Sequence, residues 1–169
     1  MAEKKQHSKI ILDFLRESNY IEKEYSEEAF EDAVKAWEYM EKQSELTLMV
    51  ILKTHKILLK RLDPVIAGKL RSCDVSVGGK TKRYIGVSDI VNRLSRLFNM
   101  IPLEPCPEKK FNEKYAKEAH VMFEDIHPFR DGNGRVGRII YNWNRQKLGL
   151  PIHVIHEGAE QSEYYKWFK

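Results

Sequence analysis

The stretch His127-Pro128-Phe129-Arg130-Asp131-Gly132-Asn133-Gly134-Arg135-Val136-Gly137-Arg138 decides how this chain is read. A base, a carboxylate, two glycines around an asparagine and two arginines three apart fall within one short segment. An apolar run follows, Ile139, Ile140, Tyr141, Trp143 and Leu148, and Gly149 and Pro151 then stop it. That order predicts a loop that opens into a helix and a helix that ends near Gly149. The first N–H groups of such a helix have no internal acceptor, and its dipole is positive there, so the loop is suited to hold an anion.

Each residue type has a physical job in that setting. Gly132 and Gly134 allow positive φ and close approach of backbone to phosphate oxygens. Arg135 and Arg138 share a helical face, so both guanidiniums can serve one phosphate chain. Asp131 is a hard oxygen ligand that suits Mg²⁺, an ion that combines one or two carboxylates with substrate phosphates and water. His127 can take a proton near neutral pH. Together they imply a nucleotide held by its phosphates, a metal, and a base for an attacking hydroxyl. The segment is not a Walker-type loop, because no Gly-Lys-Ser/Thr follows. It is not a dinucleotide fingerprint either, because a predicted helix precedes it where that motif needs a strand.

The twelve residues resemble, without departure, the signature His-x-Phe-x-Asp/Glu-Gly-Asn-Gly-Arg-x-x-Arg of Fic-domain proteins. Members typically move AMP from ATP to a hydroxyl side chain of a target protein. The resemblance implies that His127 is the base, that Asp131 holds Mg²⁺, and that Gly132, Asn133 and Gly134 form the anion nest. Arg135 and Arg138 would then hold the triphosphate, with Arg138 counted as catalytic, and Phe129 would anchor the loop in the core.

Upstream, Ile10, Ile11, Phe14 and Leu15 recur at helical spacing and predict a short helix over residues 7 to 17. Ser18 to Lys23 reads by itself as a polar junction. By the resemblance, Ser18 and Glu22 match an inhibitory segment, Ser/Thr-x-x-x-Glu-Gly/Asn, whose glutamate pairs with the second arginine of the signature. Glu22 would therefore pair with Arg138. Lys23 departs from the Gly or Asn of that pattern. Residues 1–25 are expected to form an N-terminal helix and inhibitory segment packed on a core domain of residues 26–169.

Further helices are expected after Ser26, over Leu46 to Leu62 and after Ser88, where apolar residues recur three and four apart. Another is expected over residues 111 to 126. His55 and His120 are expected to be hydrogen-bonded structural residues. Residues 68 to 88 read as two short strands around a Gly-Gly-Lys-Thr-Lys turn. In Fic proteins a β-hairpin flap beside the active site holds the target by strand addition. Val75, Val77, Gly78, Gly79 and Lys80 would supply it here. Near the end, Tyr164 and Tyr165 read as core aromatics or, by the resemblance, as the cover for adenine.

With 169 residues and a net charge of +4, the chain suits one domain with a real core and no basic stripe of the kind nucleic-acid binders carry. No run of residues is apolar for the length of a membrane span. Cys73 and Cys106 are too few for a disulfide framework or a zinc site. The N-terminus lacks a signal-like apolar stretch, so a cytoplasmic location is expected. The fold is expected to be all-α, with six to eight helices and one hairpin. The expected partners are ATP and a protein with a Ser, Thr or Tyr hydroxyl, including the chain itself, with no membrane or nucleic acid involved. Alternatives are transfer of phosphate, UMP or phosphocholine, removal of AMP, or a non-catalytic ATP-sensing module.

Overall fold

A computed structural model of the chain describes residues 7–74, 86–102 and 104–168. Seven α-helices run in order among them: α1 (Lys9–Ile21), α2 (Glu27–Met40), α3 (Leu48–Leu59), α4 (Ile90–Met100), α5 (Lys109–Ile126), α6 (Asn133–Lys147) and α7 (Ala159–Tyr165). No strand occurs among the described residues. The expected hairpin, with Val75, Val77, Gly78, Gly79 and Lys80, lies outside them. No described helix is long and apolar enough to cross a membrane.

Local sequence sets the helix starts. Ser26 Oγ accepts the Ala29 N–H at 3.2 Å, with Glu27 and Glu28 in the first turn of α2, where the helix dipole favours acids. Thr47 Oγ1 accepts the Val50 N–H at 3.3 Å, so α3 begins at Leu48, two residues later than the apolar pattern suggests. The same helix stops at Leu59, and Asp63 Oδ1 then accepts the Val65 N–H in a turn that closes over Pro64. Ser88 does not cap α4. It lies inside a 3-10 turn, Val87–Asp89, that leads into it.

Helix α6 is the centre of the molecule. It packs on α5, α3, α2 and α1, and nearly every residue from Asn133 to Arg145 is buried. Ile139, Ile140 and Trp143 meet Trp37, Leu15, Ile51, Phe123 and Phe129 in one core. Each fully buried side chain of this size contributes about 2–3 kcal/mol through removal of apolar surface from water. Some buried polar residues of α6 have their partners in place. Asn142 accepts the His153 N–H at 2.8 Å and donates to the His153 carbonyl at 3.1 Å, which holds the extended segment 151–156 along the helix.

Helix α1 runs one turn further than its apolar spacing predicts, through Ser18 to Ile21. Ser18 and Asn19 are polar but face inward and are buried. Packing on α2 and α6 overrides the weak helix preference of a Ser-Asn pair. The result places Ser18 in the last turn and Glu22 at the C-cap of one rigid element.

Candidate functional site

The site forms where α5 ends and α6 begins. His127 is the C-cap of α5, in the left-handed region at φ 48°, and its N–H reaches the Phe123 carbonyl at 3.0 Å. Glycine or asparagine usually fills that role, because a side chain there meets the backbone. The chain then dips into the core at Phe129. Asn133 closes the loop: its Oδ1 accepts the Phe129 N–H and its Nδ2 donates to the Phe129 carbonyl, both at 2.9 Å. Sequence reading gave Asn133 to the anion nest. Its side chain is committed to the loop, so what it can offer an anion is its main chain.

The two glycines do different work. Gly132 is the N-cap of α6 at φ 76°, a conformation in which a side chain would be strained. At Gly134 the requirement is space. A Cβ there would overlap Glu22 Oε1 and crowd the Arg138 guanidinium. The Glu22 carboxylate therefore lies against the first turn of α6, beside the Arg138 guanidinium.

Both signature arginines are buried and unlike in their partners. Arg138 donates from Nε to Ser18 Oγ at 2.9 Å, and from Nη2 to the Ser18 carbonyl at 2.9 Å and to Glu22 Oε1 at 2.6 Å. Burial opposes its charge, but Tyr164 and Glu22 outweigh burial and its pKa is raised. Arg135 has no such carboxylate. Its nearest acid is Asp131, with Oδ2 at 3.7 Å, and its buried Nε has no hydrogen-bond partner among the described residues. Burial pushes its pKa down, with Arg138 adding to the effect against Asp131, Glu22 and Glu24. A desolvated guanidinium of this kind is stabilised by an incoming anion.

Asp131 Oδ1 accepts the Gly132 N–H at 2.6 Å, while its side chain stays 67 % exposed. Among the described residues no three His, Cys, Asp or Glu side chains converge on a metal position. One exposed carboxylate beside a helix N-terminus fits an ion that takes its other ligands from phosphates and water.

The remaining expected residues separate. Ser18 and Glu22 stand at Arg138, as described. Lys23 adopts φ 61°, the left-handed conformation that Gly or Asn accepts most readily, and its Nζ reaches Glu157 Oε1 at 2.6 Å. Tyr164 is buried: its hydroxyl meets His120 Nε2 at 2.8 Å and its ring lies 5.9 Å from the Arg138 guanidinium. Tyr165 is 45 % exposed and accepts a hydrogen bond from Gln161 at 3.1 Å. Of the two, Tyr165 has the open aromatic face.

Two residues outside the signature support the loop in ways the sequence did not signal. His55 stacks on Phe129, with ring centres 3.8 Å apart and planes within 5°. Its Nδ1 accepts the Gly68 N–H at 2.8 Å, so the proton sits on Nε2, which donates to the Asp131 carbonyl at 3.0 Å. Burial keeps this imidazole neutral, with its pKa pushed down to about 4. Arg71 reaches the His127 carbonyl from Nε at 2.7 Å. Apolar spacing revealed His55 as a core residue but not its partner, and the local pattern that contains Gly68 and Arg71 pointed to the hairpin and not to this loop.

The arrangement can bind a polyanion at the start of α6, carry a divalent cation on Asp131 and accept a proton at His127. A family model described as Fic/DOC family matches residues 45–144. Protein adenylyltransferase Fic of Drosophila grimshawi is 33% identical over 125 residues, covering 74% of this chain and 25% of that protein. The like-named protein of Drosophila persimilis is 33% identical over 129 residues, covering 74% of this chain and 24% of that one. The chain thus spans about a quarter of the length of these relatives. Among solved structures, Fic-1 (residues 134–508) from C. elegans superposes with a TM-score of 0.75 at 18% identity, covering 97% of this chain and 58% of that one. A Fic domain containing signaling protein from Bacteroides thetaiotaomicron gives 0.76 at 24% identity, covering 94% and 70%.

Proposed function

Because the chain belongs to the Fic/DOC family, we propose that it is a protein adenylyltransferase, held back by its own Glu22. In this reading it transfers AMP from ATP to a Ser, Thr or Tyr hydroxyl of a target protein. The observation that carries it is the pair of buried arginines at the start of α6. Arg135 meets the Asp131 carboxylate at 3.7 Å and keeps a buried Nε with no hydrogen-bond partner among the described residues, and Arg138 is engaged by the Glu22 carboxylate that abuts Gly134.

Main-chain N–H groups at the start of α6 hold the phosphates, with Arg135 beside them. Asp131 is the residue to hold Mg²⁺, which when bound offsets charge on the phosphates of the leaving group. His127 takes the proton of the target hydroxyl. The hydroxyl oxygen forms a bond to the α-phosphorus, the bond from that phosphorus to the β-phosphate bridge breaks, and pyrophosphate leaves. While Glu22 holds Arg138, the terminal phosphate lacks a partner and the α-phosphorus is not in line for attack. Releasing Glu22 frees the guanidinium. Tyr165 is the open aromatic surface on which adenine can rest.

The test is to incubate the Glu22→Gly protein with isotopically labelled ATP in a cell lysate and read protein masses. A gain of one AMP group on a Ser, Thr or Tyr supports the reading. A gain of phosphate, UMP or phosphocholine would replace it with another transfer, and loss of AMP from a labelled target would replace it with the reverse reaction. ATP binding with no mass change on any protein would leave an ATP-sensing module instead.

A further inference from the structure

The last carbonyls of a helix have no internal donors, and at the end of α5 they must be satisfied around a residue in the left-handed region. Arg71 serves three successive ones. Its Nη2 donates to Ile126 O at 3.4 Å, its Nε to His127 O at 2.7 Å, and its main-chain N–H to Pro128 O at 2.9 Å. The same guanidinium reaches the Cys73 carbonyl at 3.1 Å and lies 3.6 Å from Asp74 Oδ1, and its side chain is fully buried. A cation at a helix C-terminus is favoured by the dipole, and a planar fork can serve several carbonyls where an ammonium cannot hold that geometry. At the other end of the loop, His55 grips the Asp131 carbonyl and carries Phe129 on its ring face.

We propose that Arg71 and His55 are positioning residues for the transfer: Arg71 fixes the backbone that aims the His127 imidazole, and His55 fixes the backbone that presents the Asp131 carboxylate. Neither touches the nucleotide in this assignment. The proposal rests on the adenylyltransferase reading for the roles of His127 and Asp131. The geometric part stands apart from that reading, because the bonds to the loop carbonyls do not depend on what is transferred. The physical reason for such a bracket is that five residues of loop hold two reactive groups at once, and a misplacement of about 1 Å can cost on the order of a hundredfold in rate.

The experiment uses the whole chain in the Glu22→Gly background, with AMP transfer, ATP affinity and thermal melting measured on each variant. Arg71→Lys should lower kcat about tenfold or more while the ATP dissociation constant stays within about threefold. His55→Phe keeps the stacked ring but loses both hydrogen bonds, and should raise the Mg²⁺ concentration for half-maximal rate about tenfold. A merely structural role would lower the melting temperature and leave kcat per folded molecule and the Mg²⁺ requirement unchanged, which overturns the proposal. Each half is decided by its own variant. Should Arg71→Lys not fold, Arg71→Gln, which keeps a two-proton donor, takes its place. If the background protein transfers nothing, the adenylyltransferase reading fails, and crystal structures of the variants decide the bracket. Departure of His127 from positive φ in the Arg71 variant and a shifted Asp131 carbonyl in the His55 variant uphold it, and an unchanged loop overturns it.

Discussion

Glu22 Oε1 stands 2.6 Å from Arg138 Nη2, and the same oxygen lies against the start of α6 where Gly134 leaves room for it. The contact joins residues 116 apart in the chain. Glu22 reaches it because α1 continues through Ser18, which itself accepts two hydrogen bonds from the guanidinium, through its hydroxyl and its carbonyl. The carboxylate thus rests on a helix end that is rigid in its own right.

Removing that carboxylate should move activity and stability in opposite directions. Glu22→Gly is expected to raise AMP labelling about tenfold or more. It should also cost about 1–2 kcal/mol of stability, because Arg138 stays buried with less compensation while Glu22 itself is partly solvated. Labelling rates and thermal melts of both proteins check this. Equal labelling in wild type and variant would end the inhibitory reading.

Ser18→Ala probes the same guanidinium from the helix side. It leaves the Arg138 Nε–H without its hydroxyl acceptor in a buried setting, at a cost of about 1–3 kcal/mol. Activity should rise less than in Glu22→Gly, because the carboxylate remains. Denaturant titration and labelling together measure it, and an unchanged unfolding midpoint would contradict the stated role of the hydroxyl.

His127→Ala should abolish transfer and leave ATP binding within about threefold, since the base contributes to the proton step and not to phosphate affinity. Calorimetric titration with ATP, beside the labelling assay, separates the two effects. Full labelling without the imidazole would remove His127 from the mechanism.

Asn133→Ala should destabilise the loop by about 2–3 kcal/mol, since two main-chain groups of Phe129 lose their partners inside the core. ATP affinity should fall with it, because the start of α6 is no longer fixed. A variant with wild-type melting temperature would show that the loop closes without this side chain.

Acid should destabilise the protein below about pH 6.5. Burial pushes the pKa values of His55 and His120 down to about 4 and about 3, against 6.5 for an exposed imidazole. Between those values and 6.5 the unfolded chain binds more protons than the folded one, so stability falls as pH drops and is flat above 6.5 for these groups. Down to pH 4 the loss is on the order of 3 kcal/mol for each residue. Thermal melts from pH 7 to pH 4 should show it. His120→Gln should lower the plateau through loss of the Tyr164 bond but flatten the slope, and an equally steep slope would exclude His120 as a source.

The sequence determined a good deal alone. The apolar spacing of α2, α4 and α5, the polar cap Ser26, and the Gly-Asn-Gly turn ahead of an apolar run specify helices and the start of α6, because local chemistry acts through residues three or four apart. The resemblance of Ser18 to Glu22 to the inhibitory segment of Fic proteins likewise implied which carboxylate to consider. What the tertiary structure decided are the contacts whose partner is a distant backbone group. His55 meets a carbonyl 76 residues away and Arg71 one 56 residues away. A carbonyl is the same in every residue, so no side-chain pattern announces its partner. Lys23 and Tyr164 belong with them. The left-handed turn at Lys23 and the burial of Tyr164 against His120 arise from how α1 and α7 pack around Arg138, and packing is set by the whole chain at once.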